Sequence, residues 1–427
     1  MKKLILNVVI VTCCLALPTW ESIGPYGGPL RGVAIAPSNE NIVYTMSRER
    51  SYPYHTPRCF RSTDGGSTWT LQGIITDSLL CYSIAVDPTD PDIVYVGSKQ
   101  AIFKSTDAGM TWSVYTVTAN MDTIPDIKVS PSSSQTVYAC GVVNGPMPMR
   151  RFGFFKSIDG GITWQADTLS SARGFSQDIA IAASNHDIIY VCGLTVGDPL
   201  VCKSVDEGET FTDITNNLAD SANTLNNLYS IAVHETIPDY AYVGTHKSIW
   251  RTTDGGTTWS EALLCSLLVW DIETTADDPS ILYAVTDSFV YKSIDAGTTW
   301  TVTGPGYEPT LFSPTRTHRL AGKDSDADYV FATNGGNHGM FRTTNGGVSW
   351  DTAATGICLG DISACNASKS SPSIMYTQQF WTGTHKSTDY GTTWTELEDW
   401  TDGCLGLCDF AFHNTSADTV LTLEGES

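Results

Sequence analysis

Short runs of alternating apolar and polar residues recur along the chain, separated by turns rich in Gly, Pro and Asp. In the second repeat these runs cover residues 83–88, 91–97, 101–105 and 111–115. A two-residue period over four to seven residues indicates β-strands with one buried face. Helical periodicity is nearly absent, so the pattern predicts an all-β chain built from units of four short strands.

An eight-residue phrase lies between the third and fourth strand of each unit. Its first copy reads Ser62-Thr-Asp-Gly-Gly-Ser-Thr-Trp69, and the spacing between successive copies is 43, 52, 47, 48, 41, 50 and 44 residues. Periods in the forties suit a four-stranded propeller blade. Each copy, called a box here, has one acidic or amide residue at its third position: Asp64, Asp107, Asp159, Asp206, Asp254, Asp295, Asn345 and Asp389.

The box predicts a tight turn between two strands. The carboxylate of Asp64 can accept hydrogen bonds from backbone N–H groups one to three residues ahead, and Gly66 can supply the positive φ that closes the turn. The aromatic residue that ends each box is expected to fill the wedge between neighbouring sheets. A Lys or Arg precedes every box, which predicts an ion pair or a stem lying over the Trp ring.

Counting the boxes gives a β-propeller of four-stranded antiparallel blades, with eight blades expected and seven to ten compatible with the incomplete units at both ends. Residues 19–23 resemble a fourth strand without its blade, which would close the ring by pairing into the last blade. Residues 1–16 carry two lysines and an apolar stretch too short to span a bilayer, so they predict a cleaved signal peptide. The propeller would then cover residues 17–427, with its last blade short or its C-terminal portion missing.

The net charge of the chain narrows the classes of partner that it could bind. The chain has 46 acidic and 24 basic residues, for a formal net charge of -22. This surface disfavours nucleic acid and anionic membranes, and it leaves cations, neutral glycans and proteins as partners. Cys140, Cys192 and Cys202 fall in strand-like runs and are predicted to be buried thiols.

The box resembles the Asp-box, or bacterial neuraminidase repeat. Propellers that carry it include sialidases, xyloglucan-active glycoside hydrolases, sortilin-type receptors and photosystem II assembly factors, so the resemblance implies a fold and leaves the chemistry open. It also implies that the boxes lie away from the binding face. The Phe/Tyr-Arg-Ile-Pro stretch of sialidases does not occur here. Where xyloglucan-active enzymes have a catalytic Asp, this chain has Arg48, with Glu49 beside it.

A second regularity concerns the residue immediately before the first strand of each unit. It is Gly32, Ser83, Asp126, Asp178, Ser230, Asp271, Asp361 or Asp409, and only the seventh unit departs from this pattern, near Arg319. Because strand one is innermost in a propeller, these side chains are expected to ring one mouth of the central channel. Five carboxylates there could bind Ca²⁺, bind an amine, or supply an acid and a base. Alternatively, each Asp hydrogen-bonds the backbone of the neighbouring blade.

The long loops predicted at this mouth carry aromatic and basic side chains that suit a glycan or a peptide, or that could pack on one another. The binding face would comprise the carboxylates Asp126, Asp178, Asp271, Asp361 and Asp409 together with Arg48, Tyr52, Tyr54, Arg151, Tyr307, Arg319 and Trp381.

These features favour a secreted, periplasmic or cell-surface binding module without catalysis or a required cofactor. One alternative is a glycoside hydrolase that uses Glu49, Asp126, Asp178 or Asp271. The other is a structural surface module of a longer protein.

Overall fold

A computed structural model describes residues 30–47, 56–76, 79–117, 123–144, 150–195, 199–215, 218, 227–307, 318–333, 339–355, 362–367, 371, 373–379, 383–389, 393–397, 409–413 and 416–423. These residues form antiparallel β-sheets. Within them no helix is long and apolar enough to cross a membrane.

Seven blades of four strands each account for residues 30–352. Blade 1 comprises β1 to β4: Leu30–Ile35, Val43–Ser47, Arg58–Ser62 and Thr70–Ile74. Blade 2 comprises β5 to β8: Cys81–Val86, Val94–Ser98, Ile102–Ser105 and Ser113–Tyr115. Blades 3 and 4 together comprise β9 to β15: Asp126–Ser130, Ser133–Asn144, Arg150–Ser157, Gln165–Ile181, Ile189–Thr195, Pro199–Ser204 and Thr212–Asp213. The long strand β12 is shared, because its first half pairs with β11 in blade 3 and its second half with β13 in blade 4.

Blades 5 to 7 are separate sheets. Blade 5 comprises β16 to β19: Leu228–Val233, Ala241–Thr245, Ser248–Thr252 and Ser260–Leu264. Blade 6 comprises β20 to β23, which are Val269–Thr274, Leu282–Thr286, Val290–Ser293 and Thr301–Val302, and blade 7 comprises β24 to β27, which are Leu320–Lys323, Asp326–Thr333, Met340–Thr343 and Asp351–Thr352. In every blade the strands pair in sequence order, with the first strand innermost. The inner strands contact one another around the ring, and β24 of blade 7 lies against β1 of blade 1.

The propeller therefore closes with seven blades, and the expectation of eight was wrong. Gly66 in the first box has φ +78, and a Cβ there would lie 2.4 Å from the ring of Phe331 in blade 7. The backbone N–H of Trp69 donates to Thr355 O at 2.8 Å, just as Trp350 N donates to Pro305 O at 2.9 Å. Blade 7 thus meets blade 1 through the same contacts by which blade 6 meets blade 7.

The remaining described strands lie outside the ring. They comprise β28 to β31 in one sheet and β32 and β33 in another: Ile362–Ala367, Met375–Gln379, Gly383–Ser387, Thr395–Glu396; Asp409–His413, Ser416–Leu423. The eighth box belongs to the first of these sheets. Strand β28 contacts β32, as the inner strands of neighbouring ring blades contact each other. Residues 19–23, predicted to close the ring, lie outside the described residues.

Each box forms the predicted turn, with a shift in its hydrogen bonds. In the third box, Asp159 Oδ1 accepts from the backbone N–H groups of Ile162 and Thr163 at 3.1 and 2.8 Å, and its Oδ2 accepts from the Thr163 hydroxyl at 2.6 Å. The donors are therefore three and four residues ahead rather than one to three. The Ser157 hydroxyl donates to Asp159 and accepts from Gly161 N, which completes the turn.

Contacts between blades repeat the same chemistry around the ring. The Trp that ends a box fills the wedge as predicted: Trp259 packs against blade 4, and its indole N–H donates to Ile214 O at 3.3 Å. In four blades the basic residue before the box forms an ion pair with the next blade, as in Lys203 and Asp239 at 3.0 Å, and in the other three it donates to a carbonyl or hydroxyl oxygen there. The aromatic ring beneath it is a Tyr of strand two, not the Trp, because Lys203 Nζ lies 5.2 Å from the centre of the Tyr190 ring.

The core consists of separate apolar clusters, most of them bridging two neighbouring blades. Fully buried Tyr residues of strand two contribute to them, and several reach the next blade through their hydroxyls, such as Tyr283 to Ala327 O at 3.0 Å. Cys140, Cys192 and Cys202 are buried free thiols, which confirms the prediction. The apolar core is therefore divided among the contacts between blades and does not form one central cluster.

Candidate functional site

The two faces of the propeller are fixed by strand direction. Each box contacts the turn between strands one and two of its own blade, as when Gly65 N donates to Asn41 O at 3.0 Å. Strand one therefore ends at the box face and begins at the opposite face. The residues at the start of strand one consequently surround the channel mouth away from the boxes.

A cavity of about 70 Å³ lies at this mouth. Its walls come from the inner strands of blades 1 to 7. Arg31 and Tyr82 line the cavity and stack on each other, with the guanidinium of Arg31 4.6 Å from the centre of the Tyr82 ring. The other charged residues that line the cavity are Asp126, Lys128, Asp178, Asp271, Glu273 and Arg319.

Each ring aspartate accepts a hydrogen bond from the backbone of the next blade. Asp178 Oδ2 in blade 4 accepts from Ile231 N at 2.9 Å, and Asp271 Oδ2 in blade 6 accepts from Leu320 N at 2.9 Å. Asp126 Oδ2 in blade 3 accepts from Ile179 N in blade 4 at 3.3 Å. These contacts are the blade-to-blade bonds that the sequence offered as the alternative to a ligand site.

Three charged residues of the channel were not foreseen, namely Arg31, Lys128 and Glu273. Lys128 and Glu273 lie two positions beyond Asp126 and Asp271, so the period of a strand places them on the same channel-facing side. Glu273 Oε1 accepts from Gly322 N in blade 7 at 2.8 Å, and Lys128 Nζ lies 3.6 Å from Asp126 Oδ2. The alternation i, i+2 from each ring aspartate was the signal that could have identified Lys128 and Glu273.

Arg319 spans the mouth. It precedes β24 of blade 7, and its Nη2 donates to the carbonyl oxygen of Pro125 in blade 3 at 3.3 Å. Blades 7 and 3 lie on opposite sides of a seven-membered ring. On the way the guanidinium passes Asp271, with Nη1 at 3.8 Å from Oδ1. The irregular seventh unit therefore supplies a cation where other units supply a carboxylate or a small side chain.

Burial changes the proton affinity of these carboxylates. It raises the pKa of Asp178 well above its usual range, and the neighbouring Asp126 carboxylate adds to that effect. Burial also raises the pKa of Asp271, although Arg319 opposes the shift, and raises the pKa of Glu273 to about 8. The Asp126 carboxylate holds the pKa of Lys128 above its usual value. At neutral pH the mouth thus carries fixed cations beside carboxyl groups that bind protons readily.

No metal site is evident among the described residues, since no three His, Cys, Asp or Glu side chains there are grouped to hold an ion. Of the five carboxylates proposed for Ca²⁺, Asp126, Asp178 and Asp271 share the mouth with Arg319 and Lys128. Asp409 begins β32, outside the ring. Asp361 lies outside the described residues.

The aromatic and basic residues predicted for the binding face are only partly placed. Arg48, Glu49, Tyr52, Tyr54 and Trp381 lie outside the described residues. Arg151 is half-buried in β11, where it pairs with Val143 of β10.

Tyr307 packs against neighbours in blade 7 rather than facing solvent. Its ring lies 5.2 Å from that of Phe341, and its hydroxyl is 3.0 Å from His318 Nδ1. Burial lowers the pKa of His318 to about 4. This arrangement matches the alternative that loop aromatics form small cores.

Comparison with solved structures supports the fold. The chain matches the crystal structure of an ancestral GH74 enzyme with a TM-score of 0.66 at 18% identity, over 93% of this chain and 58% of that one. The chain therefore spans less than two thirds of that enzyme's length. It also matches YCF48 bound to D1 peptide and YCF48 from Cyanidioschyzon merolae, each with a TM-score of 0.52, at 14% and 13% identity.

The likeness is one of fold. Those two matches cover 75% of this chain and 93% and 96% of the YCF48 chains. They confirm the predicted resemblance to β-propellers at the level of the fold. No family profile matches the chain, and no curated protein matches it. At these identities the comparisons carry no residue roles to this chain.

Proposed function

We propose that this protein is an exported, non-catalytic β-propeller that binds a protein or peptide partner on the face around the channel mouth. The observation that carries the proposal is how the carboxylates of the mouth are engaged. Asp178, Asp271 and Glu273 each accept a hydrogen bond from a backbone amide of the next blade. A carboxyl group that exchanged its proton with a substrate would weaken a bond that joins two blades.

The same face also offers exposed apolar side chains. Phe289, in the hairpin between strands two and three of blade 6, is 46% exposed, and Leu264, at the end of the outermost strand of blade 5, is 66% exposed. Exposed apolar side chains are typical of surfaces that bind protein partners. That YCF48 has been solved bound to D1 peptide supports a peptide ligand for a propeller of this shape.

Export is part of the proposal and rests on residues 1–17, which read as a charged start followed by an apolar segment. The acidic surface suits such a protein, because a net charge of -22 favours solubility. Sequencing the N-terminus of the mature protein from the exported fraction would test this part. A retained N-terminal segment would contradict it.

The binding function is tested by screening peptide and glycan arrays with and without EDTA. The face is then mapped with Phe289→Ser, for which Ile158→Ser is a matched control, because Ile158 is 73% exposed on the box face. We expect peptide binding that EDTA does not change and that Phe289→Ser weakens about tenfold. Loss of binding with EDTA would instead support calcium. Equal effects of the two substitutions would contradict the face assignment.

A glycoside hydrolase is the second candidate, favoured by one specific observation. The amide of Ile179 is within hydrogen-bonding distance of both Asp126 Oδ2 at 3.3 Å and Asp178 Oδ1 at 3.1 Å, so the two carboxyl groups are close together. The pKa of Asp178 is raised, and a carboxyl group with a raised pKa beside a second carboxyl group is the pairing that glycosidases use. Release of reducing sugar that Asp126→Asn or Asp178→Asn abolishes would establish catalysis. No ligand on any array would favour the structural surface module.

A further inference from the structure

We propose that the carboxylates of the channel mouth form a guanidinium-binding site, that Arg319 is its resident occupant, and that the partner bound on this face presents an arginine side chain that exchanges with Arg319. This inference rests on the proposed function, because it names the chemistry of the partner. Its first basis is the exception in the repeat. Blade 7 has Arg319 where blades 3, 4 and 6 have Asp126, Asp178 and Asp271, because Leu320 pairs with Ala332 as Ile272 pairs with Ala284.

The site is built without Arg319. Both oxygens of Asp178 are held by backbone amides, Oδ1 by Ile179 N at 3.1 Å and Oδ2 by Ile231 N at 2.9 Å. Asp271 is held in the same way by Ile272 N at 3.0 Å and Leu320 N at 2.9 Å. Because these donors belong to inner strands, the carboxylates keep their positions when the cation leaves. The geometry is therefore that of a pre-organised cation site.

Arg319 occupies this site loosely. Its Nη1 lies 3.8 Å from Asp271 Oδ1 and its Nη2 lies 3.3 Å from Pro125 O, and both distances exceed the 2.7 to 2.9 Å that is usual for charge-assisted hydrogen bonds. Its side chain is 20% exposed. Arg319 also lies directly after residues that connect blades 6 and 7, at the start of β24. A long side chain with contacts of this length at the open mouth can turn outward when another cation takes its place beside the aspartates.

Charge complementarity favours a cationic occupant over an anionic one. The chain carries a net charge of -22, which attracts basic peptides and repels acidic ones. Asp271, Asp178 and Asp126 attract the guanidinium of Arg319 at the mouth, which points to the same sign of ligand. A guanidinium is preferred to an ammonium, because its planar fork can donate to several carboxylates at once.

The first experiment empties the site with Arg319→Met, which keeps the stem and removes the charge. We expect Arg319→Met to unfold at a lower temperature than the wild type and to recover stability in millimolar, sub-denaturing guanidinium chloride. Sodium chloride at equal ionic strength should not restore it, and Asp178→Asn combined with Arg319→Met should lose the recovery. A folded Arg319→Met protein that guanidinium does not stabilise would overturn the site. If that variant does not fold, Arg319→Gln takes its place.

The second experiment tests exchange with an acetylated Gly-Gly-Arg-Gly-Gly amide, measured by calorimetry. We expect about tenfold tighter binding to Arg319→Met than to the wild type, since no resident side chain competes. The same peptide with Glu in place of Arg is the control and should bind neither protein. Equal affinity for both proteins would overturn exchange.

Binding of the Glu peptide in preference would show an anion site and would also overturn the inference. The proposed function would survive either result if array ligands still depend on Phe289, so the two failures can be told apart.

Discussion

The box face and the channel mouth both depend on aspartates, and they use the same side chain in opposite ways. At the box face, hydrogen bonds from the Thr163 side chain and backbone lower the pKa of Asp159 to about 2. At the mouth, burial raises the pKa of Asp178 well above its usual range. Both aspartates accept backbone hydrogen bonds, so the difference comes from how much water the folded chain leaves around each one.

This difference separates architecture from a candidate site. A box aspartate is ionised under all ordinary conditions and joins residues of one turn, three and four positions apart. A mouth aspartate joins two blades and lies among other charged groups, and the pKa of each group depends on the charges of the others. Raised pKa values grouped in a cavity are typical of sites that bind or react. The following substitutions test this contrast, starting with the largest expected effect.

Asp178→Ala should destabilise the fold most. It leaves the buried amide of Ile231 without its acceptor, which costs about 3 kcal/mol of unfolding free energy in urea titrations. Asp178→Asn keeps a carbonyl acceptor and should cost about 1 kcal/mol. Asp277→Ala, at an exposed turn of the box face, is the control and should stay within about 0.5 kcal/mol. Equal losses for Asp178→Ala and Asp277→Ala would remove the contrast.

Glu273→Gln should change how stability depends on pH. The pKa of Glu273 is raised from 4.5 to about 8 in the folded protein, so the folded state holds a proton that the unfolded state has lost. Wild-type stability should therefore fall as pH rises from about 4.5 to 8, by about 1.4 kcal/mol per pH unit from this group within that range. Urea titrations of Glu273→Gln across this range should lack that contribution. Parallel curves for the two proteins would show that Glu273 is ionised when folded.

Asp159→Asn tests the box face, where the sign is reversed. The lowered pKa means that Asp159 contributes stability above about pH 3.8, and that this contribution disappears as pH falls towards 2. At pH 7 we expect a loss of about 1 kcal/mol, because charge-assisted hydrogen bonds to Thr163 become neutral ones. Thermal unfolding at pH 7 and pH 2.5 should show a smaller difference between the two proteins at the acidic pH.

Asn345→Asp should have the smallest effect, in the stabilising direction. The seventh box already functions with an amide, whose Oδ1 accepts from Ser349 N at 3.0 Å and whose Nδ2 donates to the Ser349 hydroxyl at 2.9 Å. A carboxylate would accept both bonds and strengthen them, which should add about 0.5 kcal/mol at neutral pH. A loss of stability would mean that the charge of the other boxes is incidental to the turn.

The sequence was sufficient to predict the four-stranded blade but not the number of blades in the ring. The spacing of the boxes and the alternation of each run predicted four strands per blade and the turn at Asp64. It could not show that Arg342 and Tyr329 of the seventh unit reach Gly65 of the first. The eighth unit has the same local signals as the others, and only contacts between distant residues decide where the ring closes.

The mouth was predicted in part for the same reason. The position before strand one pointed to Asp126, Asp178 and Asp271, and the structure places all three at one cavity. Lys128 and Glu273 were missed, although alternation along the strand would have indicated them. That Arg319 spans from blade 7 to Pro125 in blade 3 could not be read from the sequence, since those residues are 194 positions apart.

The sequence by itself determined the blade, because strand alternation and the box turn are local and depend on residues within a few positions of one another. Tertiary structure alone decided the number of blades and the state of the carboxylates. Ring closure depends on the angle accumulated over successive wedge-packed sheets. The pKa of an aspartate depends on the water and charges that other blades leave around it. Neither quantity is encoded in the residues that flank the aspartate in the chain.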